Sequence, residues 1–308
     1  MATNAFEKNQ LFSFDVLIQH ESIIGAGSGT NIHEHTPITD TKPWKCITNS
    51  SFTHAGYLNE YTTIKGMADK SIMITSRPPR SFTIEKLMTD TKILEHLFQP
   101  NLLRPTGDYI PQPEGYLPSF AISIISDDSY IEYFGCTITE YSININPDYK
   151  YITESITFQP HYARTGDIQS LPTIGYSDTQ ITVIPIYDCI DSENDVVMTS
   201  FSIKFKLDYN TNRLNPHGWV SYLCDVNVYV NASVIPNRFT ESVEILLSNE
   251  PRNFVNVGLK LPEYGKRLMI RKFHQKVSES VQRGNYAEID LECNWQKGSS
   301  VILENYNP

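Results

Sequence analysis

The sequence predicts an all-β fold, arranged as two tandem modules of the β-sandwich or half-barrel type with one short helix in each. Segments in which apolar and polar residues alternate with a period of two recur in both halves of the 308-residue chain. That alternation is typical of strands with one buried and one hydrated face. Helical spacing of apolar residues is confined to two short segments. The clearest alternating segments are 136–145 and 151–158 in the first half, and 201–207 and 225–231 in the second.

The first predicted module covers residues 1–165. Its helix is expected to start after Thr89 or Asp90, whose side chains can accept hydrogen bonds from free N–H groups, and to end before Pro100. Long loops are expected at 20–43 and 99–118. The predicted strands are 12–18, two or three strands within 46–76, and then 81–87, 120–125, 130–145 and 151–159.

The second predicted module covers residues 175–308 and follows a linker at 166–174, which contains Gly166 and Pro172. Its helix is expected at 238–247, where apolar residues have helical spacing. Because each half has several strands, one helix and a closing meander, the pattern indicates a weak internal duplication. The predicted strands are 181–187, 201–208, 225–231, 255–261, 267–272 and 287–295.

Composition restricts the classes of function. The formal net charge is −10, whereas proteins that coat DNA are normally basic, so tight wrapping of nucleic acid is not expected. The five cysteines are odd in number and far apart, which argues against a disulfide framework or a zinc ribbon and predicts a reducing compartment. Neither a secretory signal nor a run of about 18 apolar residues is visible. We therefore expect a soluble protein made in the cytoplasm, with no membrane partner.

Three short motifs have a chemical interpretation, and in each a plainer one is favoured. His33 and His35 could ligate a metal from a strand, but no third ligand is close in sequence. The segment 191–195 lacks the glycine and terminal glutamate of a calcium loop and reads as an acidic turn. The glycine-rich segment 25–29 lacks the Lys-Ser/Thr of a phosphate loop and reads as a flexible turn. With no catalytic motif elsewhere, the sequence predicts no enzyme, no catalytic residue, no cofactor and no metal site.

A row of carboxylates lies within the last long alternating segment, the predicted strand 287–295. Glu288, Asp290 and Glu292 share one face of the predicted strand, about 7 Å apart. They repel one another unless they are well hydrated or paired with cations. Lys204 and Lys206, on another strand, are candidate partners. The alternative is a hydrated wall kept negative, and the sequence leaves both arrangements open.

A strand, a short helix with an acidic start, a loop and a meander with a Gly-Cys step follow one another in the first half. They occupy 81–98, 120–124, 133–136 (Tyr-Phe-Gly-Cys) and 155–158. In the second half, 199–210 is a serine-rich strand that ends in a turn containing asparagine. Together these patterns resemble the tail tube proteins of long-tailed bacteriophages, in their two-module form. The resemblance covers most of the chain but neither of the two long loops.

The resemblance implies a virion structural protein, the major tail tube subunit. Its sheets would join between subunits into rings that stack into a tube, each ring containing three two-module chains or, alternatively, six chains. The implied partners are the chain itself, the tape-measure protein, and the tail terminator and baseplate or tip proteins. DNA would pass through during genome ejection without specific binding. The implied location is the virion tail, after assembly in the host cytoplasm.

Polar residues at alternating strand positions are the candidate lining of that channel. An acidic lining would let DNA pass, because like charge keeps phosphates from adhering. The first alternative function is a two-domain β-sandwich virion protein that binds a host surface or glycans, and the second is the inner tube of a contractile injection system. The candidate lumen-facing residues are Ser142, Asn144, Asp225, Asn227, Glu288, Asp290 and Glu292.

Overall fold

A computed structural model gives the fold over most of the chain. Statements below concern the residues that it describes. These are 15–21, 25–29, 36–39, 44, 47–53, 58–62, 71–76, 81–98, 119–125, 129–145, 151–167, 190–192, 196–212, 220–236, 252–254, 257–261, 265–271, 273–283, 286–294 and 300–305.

These residues form antiparallel sheets with one short helix, so the all-β fold class is confirmed. The helix is α1, Lys92–Leu97. The strands are β1 Asp15–His20, β2 Ile47–Thr53, β3 Leu58–Thr62, β4 Ser71–Ser76, β5 Ser81–Leu87, β6 Phe120–Ile125, β7 Ser129–Ile145, β8 Thr153–Gln159, β9 Tyr162–Asp167, β10 Ile190–Ser192, β11 Val196–Asn212, β12 Val220–Pro236, β13 Arg252–Phe254, β14 Val257–Leu261, β15 Lys266–Arg271, β16 Phe273–Arg283, β17 Tyr286–Asn294 and β18 Ser300–Asn305.

A 12-stranded sheet dominates the described structure. Its main path runs in the order β13-β16-β17-β12-β11-β7-β8-β5-β2, and β6, β1 and β9 branch from it at β7. A 4-stranded sheet has the order β10-β14-β15-β18, and β3 pairs with β4 in a 2-stranded sheet. We call the main path the large sheet, and β1, β6 and β9 with the first half of β7 the branch sheet.

Strand β7 connects these two sheets because it changes neighbours along its length. Its first half pairs with β6 and β9, and its second half pairs with β8 and β11. The change falls next to Gly135, which has a φ of 64°, a left-handed conformation that favours glycine. A Cβ at this position would lie 3.0 Å from Cβ of His161. Glycine therefore allows both the bend and the close approach of β9.

The main core lies against one face of the large sheet. Its members include Tyr141, Ile203 and Phe205 from the large sheet and Leu94 and Leu97 from α1, all almost fully buried. The 4-stranded sheet contributes to the same core, so the described architecture is layered, with helix and second sheet on one side of the large sheet. Its contributions are Leu261, Leu268 and Val301.

Most predicted elements that fall on described residues are confirmed. Strands β5 and β6 have the predicted bounds, and β11 and β12 extend the predicted 201–208 and 225–231 in both directions. Helix α1 begins later than expected, at Lys92, and the Asp90 carboxylate accepts the Lys92 N–H at 3.0 Å. Strands β9, β10, β13, β16 and β18 were not predicted. The predicted strand 181–187, helix 238–247, loop 99–118 and the histidines His33 and His35 lie outside the described residues.

The division into modules at 1–165 and 175–308 stays a prediction. Strand β9 runs to Asp167 and so enters the predicted linker, of which 168–174 lie outside the described residues. The two halves are hydrogen-bonded together, because β7 pairs with β11 from Ile145 opposite Phe201 to Glu140 opposite Lys206. The large sheet is therefore continuous across the two halves of the chain.

A buried ion pair lies on the core face of this sheet. Lys86 on β5 is directly opposite Glu154 on β8, and its Nζ lies 2.5 Å from Glu154 Oε1. The Tyr141 hydroxyl donates to Glu154 Oε2 at 2.9 Å, and Asp90 lies 4.0 Å from the ammonium. Burial raises the pKa of Glu154, against the opposing effects of Lys86 and Tyr141. A shift in register would bury these charges unpaired, so the pair specifies how β5 and β8 align.

Removing the ammonium should therefore be costly. We expect Lys86→Met to lower the free energy of unfolding by about 3–5 kcal/mol, because Glu154 stays buried without its cation. The double variant Lys86→Met/Glu154→Gln should be more stable than Lys86→Met. Urea unfolding of these two variants, of Glu154→Gln and of the unaltered protein completes a double-mutant cycle. If the effects of the two single substitutions add up to that of the double variant, the assigned pairing is contradicted.

Acid should destabilise the fold through His161. Burial lowers its pKa to about 4, whereas an unfolded histidine titrates near 6.5. Between these values the unfolded chain binds the additional proton, so stability falls as the pH drops through this window, by at most about 3 kcal/mol. Urea unfolding at several pH values gives the free energy of unfolding as a function of pH. Between pH 4 and 6.5 its slope should be shallower for His161→Gln than for the unaltered protein. An unchanged slope would contradict the assignment.

Candidate functional site

The large sheet has one apolar and one polar face. On β11, Phe201, Ile203 and Phe205 are buried, whereas the alternating residues are polar and more exposed. Strands β7 and β8 follow the same rule, with Ile143 and Ile156 in the core. The polar set on β7, β8 and β11 comprises Glu140, Ser142, Asn144, Thr153, Ser155, Thr157, Ser202, Lys204, Lys206 and Asp208.

Strand pairing extends this polar face across five strands. Residues directly opposite each other in antiparallel strands share a face. One such row starts at Thr153 on β8, crosses Asn144, Ser202 and Asn231, and reaches Glu292 on β17. A parallel row joins Ser155, Ser142, Lys204, Tyr229 and Asn294. The face is therefore continuous from β8 to β17.

All seven candidate lumen-facing residues occupy positions on this one face. Ser142 and Asn144 on β7 and Asn227 on β12 are partly exposed there. Asp225 lies two residues before Asn227 and opposite Asp208. Glu292 is opposite Asn231, Asp290 is opposite Ser233, and Glu288 continues the alternation on β17. Whether the face lines a channel stays a prediction.

Lys204 forms an ion pair with a residue on a neighbouring strand of the large sheet. Its Nζ lies 2.7 Å from Glu140 Oε2, on the neighbouring strand β7, and both side chains are about 40% exposed, at 43% and 38%. Strand β12 lies between β11 and β17, so Glu288, Asp290 and Glu292 are two strands from either lysine. The exposed Lys204–Glu140 pair adds little stability. Lys204 therefore has Glu140 as a partner, and the pairing of Lys204 or Lys206 with the row stays a prediction.

Like charges face each other in two places on the polar face. Asp208 on β11 is directly opposite Asp225 on β12, and Asp290 on β17 is directly opposite Glu279 on β16. Such pairs destabilise a sheet. Asn227 Nδ2 donates to Asp208 Oδ2 at 3.2 Å and relieves part of the first repulsion. The register therefore places acidic residues directly opposite each other on this face.

Acidic positions outnumber basic ones on this face. The register places Lys276 opposite Glu292 and Arg283 opposite Tyr286, and Lys204 and Lys206 lie on β11. Several acidic positions of this face cannot be found from the sequence, because alternation shows which residues share a face but not which strands are neighbours. The acidic positions are Glu85, Glu140, Asp208, Asp225, Glu279, Glu288, Asp290 and Glu292.

The exposed aromatic residues do not mark one binding end. Among the residues whose burial is described, the exposed large ones are Tyr151, Tyr162 and Tyr229, each about 40% exposed, at 42%, 42% and 41%. Tyr229 lies in the middle of β12, Tyr162 begins β9, and Tyr151 precedes β8. The glycan-binding alternative predicts exposed aromatic residues clustered at one loop end, and these three tyrosines do not form such a cluster.

The glycine-rich segment 25–29 surrounds an internal anion. The buried Glu21 carboxylate accepts the N–H groups of Gly25 and Gly27, each at 2.9 Å, and that of Gly135 at 3.0 Å. It also accepts the Ser119 hydroxyl. The segment is therefore a turn around a carboxylate, and its predicted flexibility stays a prediction. Gly25 and Gly27 have φ values of 81° and 66°.

Other kinds of site are not seen in the described part of the chain. No group of three or more His, Cys, Asp or Glu residues there could hold a metal ion. No described helix is long and apolar enough to cross a membrane. The expectations that the protein has no metal, no cofactor and no catalytic residue stay predictions.

No protein-family model matches the chain, and no curated protein matches it. The resemblance to tail tube proteins therefore rests on the sequence patterns given above, and the function drawn from it is a proposal.

Neutralising one member of a like-charge pair should stabilise the fold. We expect Asp225→Asn to raise the free energy of unfolding by about 0.2–1 kcal/mol, because Asp208 loses its repulsive neighbour. The gain should shrink in high salt, which screens the repulsion. Urea unfolding at two salt concentrations measures both effects.

The matched control is Asn227→Asp. It replaces the donor to Asp208 with a third carboxylate and should destabilise the protein. A destabilising effect of Asp225→Asn, or an effect independent of salt, would contradict the like-charge assignment.

Proposed function

We propose that the chain is the major tail tube subunit of a long-tailed bacteriophage, which assembles into stacked rings around a channel for genome ejection. The observation that supports this best is the single polar face on which all seven candidate lining residues have positions. The function is mechanical and electrostatic and includes no covalent step. The proposed rings contain three chains, or alternatively six. The proposed partners at the ends and inside are terminator, baseplate or tip, and tape-measure proteins.

The charge of the polar face suits a channel for DNA. A polyanion is repelled by an acidic wall, so its phosphates do not adhere while it moves. The pairs Asp208–Asp225 and Glu279–Asp290 keep this charge although they weaken the sheet. This loss of folding free energy would be retained if the face has to stay negative for its function. Passage of DNA is a function that requires it.

The ends of the large sheet offer the groups needed for self-assembly. Strand β2 at one end and β13 at the other each pair with a single strand among the described residues. A sheet edge with free N–H and C=O groups favours pairing with another strand. Pairing between unlike edges of identical chains is heterologous and produces a ring when the rotation closes. Each chain would then contribute one segment of a continuous wall.

The proposal predicts hollow assemblies. Purified protein at high concentration should form stacked rings or hollow filaments in negative stain, with matching large species in sedimentation velocity. Addition of preformed tail tips should promote assembly if initiation limits it. A monomer that persists under all of these conditions would contradict the proposal.

A second prediction addresses the channel wall itself. Virions with Ser142→Lys/Asn144→Lys should assemble normal tubes but eject DNA slowly, because added cations bind phosphates. The effect should weaken as salt rises. The matched control is Ser142→Gln/Asn144→Gln, which adds comparable length without charge. Equal ejection by the two variants would show that these positions do not face the DNA.

A further inference from the structure

Two short described segments, 25–29 and 36–39, are hydrogen-bonded to each other. The Thr36 N–H donates to Ala26 O at 3.0 Å, and the Ser28 N–H donates to Thr36 O at 3.2 Å. Gly27 and Thr36 form a parallel bridge, and a Cβ on Gly27 would lie 1.9 Å from Thr36 O, so only glycine fits. We call these two segments together the strap.

The strap covers the face of the branch sheet that is turned away from the main core. A second, smaller hydrophobic cluster lies there, and Ile38 of the strap is a member of it. Gly27 lies against the Phe134 ring, since a Cβ at this position would be 2.9 Å from that ring. The sheet residues of this cluster are Leu17, Ala121, Ile125, Tyr130 and Phe134.

The chain is fixed to the sheets on both sides of the strap. Before it, the Glu21 N–H donates to Ser119 O at 2.9 Å and continues the pairing of β1 with β6. After it, the Trp44 N–H donates to Val16 O at 2.6 Å. These two attachments do not depend on the strap.

Two buried carboxylates connect the strap to the branch sheet, and each also has partners on the sheet. Glu21 binds Gly25 and Gly27 of the strap, and it binds Gly135 and Ser119 of the sheet. Glu132 accepts the Ile38 N–H of the strap at a long 3.5 Å. It also forms an ion pair with Arg164 at 2.5 Å and accepts the Ser123 hydroxyl at 3.3 Å.

This division of partners makes detachment of the strap less costly than unfolding of the sheets beneath it. A buried carboxylate that loses all its partners is strongly destabilising. When the strap lifts, Glu21 keeps its hydrogen bonds from Gly135 and Ser119, and Glu132 keeps its ion pair with Arg164, so both carboxylates retain partners. The strap amides become exposed and bind water instead. The remaining loss has two parts. The Thr39 N–H loses its hydrogen bond to Gln19 Oε1 on β1, at 2.9 Å, and Ile38 and Ala26 lose their burial together with the small apolar surface that they cover.

We propose that the strap opens and closes as one unit while the sheets beneath remain folded. Such sub-global opening occurs where few apolar contacts hold a segment. The proposal concerns the isolated chain and goes beyond its proposed function in tubes, so either can fail without the other.

Native-state hydrogen exchange of the full-length protein tests this proposal. The amides of Gly25, Gly27, Thr36 and Ile38 should exchange together, faster than core amides of β7 and β8, and with little dependence on urea. Ile203→Val, in the main core, should accelerate the core amides roughly two- to tenfold and leave the strap amides unchanged. Ile38→Val should accelerate the strap amides by a similar factor. Circular dichroism would confirm that both conservative variants are folded.

The opposite pattern would overturn the proposal. If the strap amides exchange only when the whole protein unfolds, Ile203→Val accelerates them by the same factor as the core amides. Strap exchange that is as sensitive to urea as core exchange leads to the same conclusion.

Discussion

One-sided burial of the large sheet is the constraint on which the rest of the structure depends. Its apolar face packs against α1 and the 4-stranded sheet, and its other face carries polar residues on every strand whose side chains are described. A shift of one residue between any two strands would exchange these faces. The Lys86–Glu154 pair adds a charge-specific constraint on the same alignment. Burial of every second residue in the core therefore places the polar residues between them together on the opposite face.

Strand β7 gives this sheet its continuity. It receives the branch sheet along its first half and joins the two halves of the chain along its second, with Gly135 at the change. The same bend brings the Gly135 N–H to the Glu21 carboxylate, so the turn at 25–29, the branch sheet and the large sheet meet at one buried charge. The polar face of the large sheet and the strap are both attached to this junction.

Sequence reasoning predicts what depends on local alternation. It places strands at β5, β6, β7, β8 and β11, because each contains a run with a period of two. Strands β5 and β8 keep that period throughout, whereas β6, β7 and β11 contain register shifts. Strand β16 was missed because it contains few apolar residues and because a bulge between Val277 and Glu279 interrupts its alternation. Strand β9 contains Gly166 and Thr165 and resembles a loop in composition. The ion pair of Lys204 with Glu140 and the Asp208–Asp225 pair follow from strand order, which alternation does not encode.

The central claim is that the polar face of the large sheet surrounds a hollow axis in an assembly of identical chains. A cryo-electron microscopy reconstruction of the assembled protein tests this most directly, by measuring the distance of each strand face from the symmetry axis. Our account predicts that Ser142, Asn144 and Asn227 point toward a central channel and that β2 and β13 contact neighbouring copies. A reconstruction in which these residues face outward, or in which no channel is present, would contradict it.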